Sequence, residues 1–348
     1  MKKKATIVDI ALRLGITPSA VSKALSGNTR ISDETRSAVR AMAKELDYQP
    51  NIMASALRTG KSGLIGILVP GIQYGFFSTA IKGAEELLSD AGYNVIICQS
   101  RDSARHEKKQ LEGLMRAKVE GVIASLGMET IDVEFYKALA KEVPLVMFDR
   151  VFESESICSV VIDDFIGAVK AVDHLVEMGY QRIAHMGGHS HILAFDRRIR
   201  GYKYALAKHN LPVNEDYIYE CSPNKDEGVV AMERLFQLPE PPDAILAASD
   251  FLALGVVNYA KSHHLNVPED LGVVGFSNEE FTRHLTPSLT SVDQFSESMG
   301  EVAAQLLLDQ LSRARKGSSM VVQQRVLVPR LVIRESSFPK KREPVLAA

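Results

Sequence analysis

The chain of 348 residues has few cysteines and no long apolar run. Its three cysteines, Cys98, Cys158 and Cys221, are widely spaced and odd in number, which fits neither a disulfide framework nor a zinc site. No stretch reaches the roughly 18 apolar residues that a membrane-spanning helix requires. After the opening MKKK, Asp9 and Arg13 interrupt the chain before a signal-peptide core could develop. The sequence therefore predicts a soluble protein of the reducing cytoplasm.

Glycine motifs of nucleotide binding and acyl transfer are also lacking. The first apolar run, GLIGILVP, is not followed by G-x-G-x-x-G, because Gly66, Gly71 and Gly75 have unsuitable spacing. There is no G-x-S-x-G elbow. The stretch TGKSG at 59–63 looks like the end of a phosphate-binding loop, but that loop needs a glycine where Ser55 stands. These absences argue against a doubly wound enzyme.

Three histidines, His185, His189 and His191, lie close together near the end of a strand candidate. No cysteine or carboxylate accompanies them at the spacing of metal ligands. A satisfied loop histidine is favoured over a metal ligand, and we expect no catalytic residue, no cofactor and no metal.

Positive charge is concentrated at one end of the chain. Residues 1–61 contain 11 Lys and Arg against 5 Asp and Glu, whereas the remainder contains 30 against 38. This asymmetry predicts a small anion-binding head on an acidic body. A basic but merely solvated surface is the alternative.

The N-terminal segment predicts three short helices. Thr6 and Asp9 form a capping signature before an apolar face, and Gly15 ends the first helix. Thr17 caps the second helix, and Ser32 opens the third. Two short helices joined by a tight turn and braced by a third are typical of the helix-turn-helix motif, whose second helix enters the major groove of DNA. A packed three-helix mini-domain is the alternative.

The stretch TIVDIALRLGITPSAVSKALSGNTRISDETRSAVRAMAKELDYQPNIMASALRTG closely resembles the head of the lactose/galactose repressor (LacI/GalR) family of bacterial transcriptional regulators. The resemblance implies DNA contacts by Thr6, Thr17, Pro18, Ser19, Ser22, Lys23, Arg30, Ser32, Thr35, Asn51, Ala54, Leu57 and Arg58. Lys23 is the best candidate for a base edge, and the hydroxyls suit phosphates. Pro18 and Ser19 are shorter than the family's usual residues, so we expect sparse direct readout.

The linker NIMASALRTG has the composition of a helix, yet a helix of its length is marginal alone. Resemblance places Leu57 where family members wedge a leucine between base pairs, with Arg58 beside it in the minor groove. We expect the segment to fold on DNA and act as a switch.

After Gly63, strand-like apolar runs alternate with amphipathic helical segments. This pattern predicts two doubly wound parallel sheets with a ligand cleft beyond the carboxyl ends of their strands. The expected fold is α/β, with a small all-α helix-turn-helix head and a two-lobed, doubly wound parallel α/β core.

The core resembles the effector-binding core of the same family and the periplasmic sugar-binding proteins. The resemblance rests on four stretches: ASDFLALGVVNYA, PEDLGVVGFSN, TPSLTSVDQ and VLVPRLVIRES. This implies that the chain crosses between lobes near residues 162, 292 and 325. The expected parts are a head at 1–50, a hinge helix and linker at 51–62, a core at 63–338 and a tail at 339–348. Within the core we expect an N-lobe at about 63–162 and 293–324 and a C-lobe at about 163–292 and 325–338.

The resemblance also implies an effector site at Phe76, Phe77, Asp149, Arg198, Asp250, Ser277, Asn278 and Gln294. One of the two phenylalanines could instead be a core aromatic, and Arg198 a solvated helix charge. Asp149, Asp250 and Gln294 could instead hydrogen-bond the hinge between the lobes. Ser277 stands where the family often has an aspartate, so a sugar, a sugar phosphate or a purine remains open as effector.

We therefore expect a homodimeric, cytoplasmic transcription regulator that acts as a repressor, binds operator DNA and responds to a small effector, without membrane contact. A two-lobed solute-binding protein is the first alternative, but it predicts an export signal and no head. A doubly wound enzyme is the second. The tail FPKKREPVLAA lacks a heptad zipper, which favours a dimer over a tetramer.

Overall fold

The computed structural model describes residues 5–25, 30–48 and 62–338. The chain divides into two compact units, the first ending at Ser62 and the second beginning at Gly63. The described part of the first unit is helical, and the second unit contains two sheets with helices between their strands. The predicted fold class is confirmed.

The head contains three helices, α1 Ile7–Leu14, α2 Pro18–Leu25 and α3 Asp33–Glu45. Thr6 and Asp9 form the expected capping box of α1. Gly15 ends α1 in the left-handed conformation, with φ of 64°, which glycine adopts without strain. The three helices enclose one small core of buried side chains, formed by Ile10, Ala11, Val21, Ala24 and Val39.

The core unit is built from strands and helices that alternate along the chain. Its strands are β1 Leu64–Val69, β2 Asn94–Gln99, β3 Gly121–Ala124, β4 Leu145–Phe148, β5 Cys158–Ile162, β6 Ile183–Met186, β7 Ile218–Tyr219, β8 Ala244–Ala247, β9 Gly272–Ser277, β10 Thr290–Asp293, β11 Gln324–Leu327 and β12 Arg330–Val332. Its helices are α4 Gly75–Asp90, α5 Ala104–Arg116, α6 Glu134–Glu142, α7 Asp164–Glu177, α8 Leu193–Lys208, α9 Lys225–Leu235, α10 Asp250–Ser262 and α11 Ser296–Arg315.

The strands form two six-stranded sheets over the described residues. The N-lobe sheet has the order β11-β5-β4-β3-β1-β2 and is parallel throughout. The C-lobe sheet has the order β12-β10-β9-β8-β6-β7, in which β12 alone is antiparallel to its neighbour. Strands β3, β4 and β5 are buried along their whole length, which is why they read as continuous apolar runs instead of alternating ones.

The chain passes between the lobes after β5, after β10 and after β11. The first two crossings lie close to the expected residues 162 and 292. The third differs, because β11 pairs with β5 from Gln324 to Leu327 and therefore belongs to the N-lobe sheet. The C-lobe resumes only with β12 at Arg330, so the expected boundary at 325 is a few residues too early.

Helices α4 and α11 approach each other closely on the N-lobe. A Cβ at Gly300 would lie 1.8 Å from the backbone oxygen of Ala80, and a Cβ at Gly83 would lie 2.4 Å from that of Glu297. Only glycine permits this contact. Helix α11, which follows the second crossing, therefore packs against α4, which begins at the cleft.

Candidate DNA-binding surface and effector cleft

Helix α2 has one buried and one exposed face. Val21 and Ala24 are fully buried in the head core, whereas Pro18, Ser19 and Lys23 are exposed. Ser22 lies between the two faces and is half-buried. The predicted second helix of the motif therefore presents a proline, a serine and a lysine outward.

Hydroxyls at the helix starts of the head act as caps. The Thr6 Oγ1 donates to Asp9 Oδ2 at 2.7 Å and accepts from the backbone N–H of Asp9. Thr17 Oγ1 accepts from the Ala20 N–H at 3.2 Å, and Ser32 Oγ accepts from the Thr35 N–H at 3.3 Å. These residues fix where each helix begins. Their expected phosphate contacts stay predictions.

The remaining expected DNA contacts differ in their place in the structure. Arg30 is exposed just before α3, and Thr35 is half-buried in its first turn. Four other expected DNA contacts lie outside the described residues: Asn51, Ala54, Leu57 and Arg58. The expected hinge helix lies outside them as well.

A cavity of about 50 Å³ lies between the two lobes, at the carboxyl ends of the strands. Six of the eight expected effector residues line it: Phe76, Phe77, Asp149, Arg198, Ser277 and Gln294. Sequence reasoning missed other lining residues with aromatic or charged side chains: Tyr74, Arg150, Phe195, Phe251 and Glu279. The cavity is small beside the roughly 300–1,000 Å³ of typical ligand sites, so a ligand of monosaccharide size requires the lobes or side chains to move.

The two remaining expected residues are turned away from this cavity. Asp250 is fully buried, where its Oδ1 accepts from Ser291 Oγ at 2.6 Å and its Oδ2 accepts from the Glu279 N–H at 2.7 Å. Burial raises the pKa of Asp250 to about 7, although both hydrogen bonds oppose the rise. Asn278 Oδ1 accepts from Arg334 Nη2 at 2.7 Å. Both side chains therefore organise the loop after β9.

Arg198 is buried and held by its own lobe. Its Nε donates to Asp164 Oδ1 at 2.8 Å, and its Nη1 donates to the backbone oxygen of Ala248 at 2.6 Å. Its guanidinium carbon lies 3.7 Å from the centroid of the Phe276 ring, within the range of a cation–π contact. Burial raises the pKa of Asp164 to about 6, and pairing with Arg198 opposes that rise. Arg198 is thus not a solvated helix charge.

Arg150 connects the lobes. Its Nη1 donates to Asp102 Oδ1 at 2.6 Å within the N-lobe. Its guanidinium carbon lies 5.6 Å from the ring centroids of both Phe77 in the N-lobe and Phe195 in the C-lobe. The sequence signal was present, because Arg150 directly follows Asp149 at the end of β4.

Gln294 bridges the lobes at the second crossing. Its Nε2 donates to Asp149 Oδ1 of the N-lobe at 3.4 Å, and its Oε1 accepts from Ser277 Oγ of the C-lobe at 2.8 Å. Burial raises the pKa of Asp149, whereas Arg150 and Arg198 oppose the rise. These contacts combine the two interpretations of Asp149 and Gln294, because both residues line the cavity and hydrogen-bond across the hinge.

Aromatic rings and one carboxylate close the cleft from both sides. The ring of Tyr74 in the N-lobe lies 5.3 Å from that of Phe251 in the C-lobe, centroid to centroid. Phe76 and Phe77 pack edge to face at 5.0 Å and are both buried. Glu279 Oε1 of the C-lobe accepts from the Phe76 N–H of the N-lobe at 2.9 Å.

The histidine cluster is held by hydrogen bonds. His185 Nδ1 lies 3.1 Å from the backbone oxygen of Leu246, and His191 Nε2 lies 2.7 Å from that of Met128. Within the described ranges, no group of three or more His, Cys, Asp and Glu side chains could hold a metal ion.

No helix in the part of the chain that the structure describes is long and apolar enough to span a membrane.

Comparison with known proteins finds two matching family models. Residues 6–51 match the bacterial regulatory proteins of the lacI family, and residues 172–337 match the periplasmic binding protein-like domain. The HTH-type transcriptional repressor CytR of Escherichia coli (strain K12) is 32% identical over 335 residues, which are 96% of this chain and 96% of the relative.

Two solved structures are also similar. The complex of the transcriptional regulator CelR with cellobiose is 28% identical, has a TM-score of 0.71 and covers 95% of this chain and 99% of its own. The lac repressor dimer bound to operator and the anti-inducer ONPF has a TM-score of 0.83 over 96% of this chain and 99% of its own. At 24% identity that likeness shows the fold alone.

The head, the two-lobed core and the comparisons agree, and both CytR and CelR are transcriptional regulators. This chain belongs to the lacI family of bacterial regulatory proteins and is a transcriptional regulator with a helix-turn-helix DNA-binding head and an effector-binding core.

Proposed function

We propose that this regulator is a homodimeric repressor of a pseudo-palindromic operator and that a sugar or sugar derivative in the cleft controls its affinity. One observation carries the proposal: a helix-turn-helix head stands in the same chain as a cleft lined by aromatic, guanidinium and carboxylate groups of both lobes. Such linings suit ligands with a flat apolar face and several hydroxyls. CytR as a named repressor and CelR as a cellobiose complex support it.

The exposed face of α2 enters the major groove in this proposal. Ser19 and Ser22 position the helix on phosphates, and Lys23 contacts a base edge. Because Pro18 and Ser19 are short, part of the specificity comes from DNA deformation, with Leu57 as the wedge of the hinge segment.

Effector control follows from the contacts between the lobes. A ligand shifts the lobe arrangement only by the difference in its affinity for the two arrangements. A hundredfold change in operator affinity therefore requires about 2.7 kcal/mol of differential binding. Arg150 and Gln294 make contacts across the cleft, and a ligand that inserts between the lobes must replace or rearrange them.

Fluorescence anisotropy of the full chain on duplexes selected from a random library tests the DNA-binding part. We expect Lys23→Gln to weaken binding by about 1–3 kcal/mol and to relax the preference at one base position. Lys44→Gln is the matched control, because it removes one exposed charge from α3 instead. Equal effects of the two substitutions, with the base preference retained, would show that Lys23 contributes only charge.

A further inference from the structure

The N-terminus of α4 is capped from the opposite lobe. Tyr74 precedes the helix but makes no side-chain capping bond, and the Glu279 carboxylate takes that place with its Oε1 2.9 Å from the Phe76 nitrogen. A Cβ at Gly75 would lie 2.0 Å from Glu279 Oε2. The glycine at the first turn therefore leaves room for a carboxylate that reaches across the cleft.

A helix N-terminus at such a cleft is ordinarily a place where anions bind. The first N–H groups of a helix have no partner within the helix, and its dipole favours negative charge there. Helix α4 is 16 residues long and begins directly at the cavity. Because Glu279 already occupies this position, the chain supplies its own anion.

The arginines of the cavity are likewise engaged by carboxylates. Arg198 pairs with Asp164 at 2.8 Å, and Arg150 pairs with Asp102 at 2.6 Å. Among the described residues, the charged groups that line the cavity or pair with its arginines comprise four carboxylates and two guanidinium groups: Asp102, Asp149, Asp164 and Glu279 with Arg150 and Arg198. An incoming anion would add to an excess of negative charge in a buried site, which is costly.

We infer that Glu279 is a specificity-determining residue that excludes anionic ligands and makes the cleft selective for uncharged, hydroxyl-rich effectors. This inference rests on the proposed function and narrows its effector class. Phosphorylated or carboxylated ligands are rejected because their charged group competes with Glu279 for the start of α4. An uncharged ligand keeps the Glu279 cap in place.

Inorganic phosphate tests the inference without knowledge of the effector. Thermal unfolding of the full chain is followed against phosphate at constant ionic strength for the wild type, Glu279→Ala and Glu280→Ala. Glu280→Ala is the matched control, because this substitution removes the same charge from the neighbouring, exposed position. All three proteins carry the same head, so any phosphate binding there is common to them.

Glu279→Ala should gain saturable stabilisation by phosphate, with an affinity about tenfold or more above the wild type and the control. Should Glu279→Ala fail to fold, Glu279→Gln is expected to show a smaller gain. The inference is overturned if phosphate affects all folded variants alike, or if a phosphorylated ligand binds the wild type more tightly than its uncharged counterpart. Lack of operator binding would contradict the proposed function but would leave this result unchanged.

Discussion

Replacing Arg198 by methionine separates a structural role of this residue from a ligand-binding one. The guanidinium is buried, pairs with Asp164 at 2.8 Å and donates to the Ala248 oxygen at 2.6 Å. Methionine keeps an unbranched apolar side chain but removes every donor. The carboxylate of Asp164 would then remain buried without its cation.

The expected cost is large. Removing one partner of a buried ion pair typically destabilises a protein by about 3–5 kcal/mol, because the other charge is left without compensation. On the same helix, Arg200 pairs with Asp196 at 2.9 Å but has a side chain 70% exposed. Arg200→Met is therefore the matched control, with an expected cost of about 0–1 kcal/mol.

The cost should also depend on pH. The pKa of Asp164 is about 6 in the folded protein, above the ordinary 3.8. The stability that the protonated carboxyl contributes to the fold is therefore lost as pH rises through about 6. Without Arg198 that pKa rises further, and the loss continues to higher pH. The destabilisation by Arg198→Met is thus larger at about pH 8 than at about pH 5.5, by about 1.4 kcal/mol per additional pKa unit.

Urea unfolding of both variants at the two pH values provides the assay. A cost below about 1 kcal/mol for Arg198→Met at pH 8, equal to that of Arg200→Met, would refute the structural role. It would also show that the guanidinium is available to a ligand at no cost to the fold.

Three further predictions concern other parts of the molecule. Because the folded pKa of Asp250 is raised to about 7, the wild-type free energy of unfolding falls as pH rises through that value. The stability of Asp250→Asn relative to the wild type should therefore increase between about pH 5 and 8. Urea-unfolding free energies of the two proteins that change in parallel with pH would contradict this. Gly300→Ala should destabilise the core by about 1–3 kcal/mol, since its Cβ would meet the Ala80 oxygen at 1.8 Å; an unchanged melting temperature would show that the helices separate freely. Leu57→Ala should weaken operator binding and reduce DNA bending without changing ligand affinity, and unchanged bending in a gel assay would remove the wedge role.

Much of the fold follows from the sequence. Buried parallel strands such as β3 and β4 read as short apolar runs between amphipathic helices. The ends of those strands then predict the cleft, which is why Phe77 after β1 and Asp149 after β4 are found in its wall. Their proposed contact with an effector stays a prediction.

The contacts across the cleft could not be derived in the same way. Glu279 and Arg150 also stand at strand ends, but their partners across the cleft, Phe76 and Phe195, are more than forty positions away and belong to the opposite lobe. The hydrogen bonds of Asp250 could not be derived for a related reason. Its position beside the cleft is readable from sequence, whereas the turn of its carboxylate toward Ser291 depends on the packing of β10 against β9.

If the effector controls DNA binding, operator and effector must affect each other's affinity reciprocally. The operator affinity of the full chain is measured by anisotropy with and without a ligand that stabilises the core, and the ligand affinity with and without saturating operator. We expect the same factor in both measurements, about fivefold or more. Operator affinity that is identical with and without saturating ligand would contradict it.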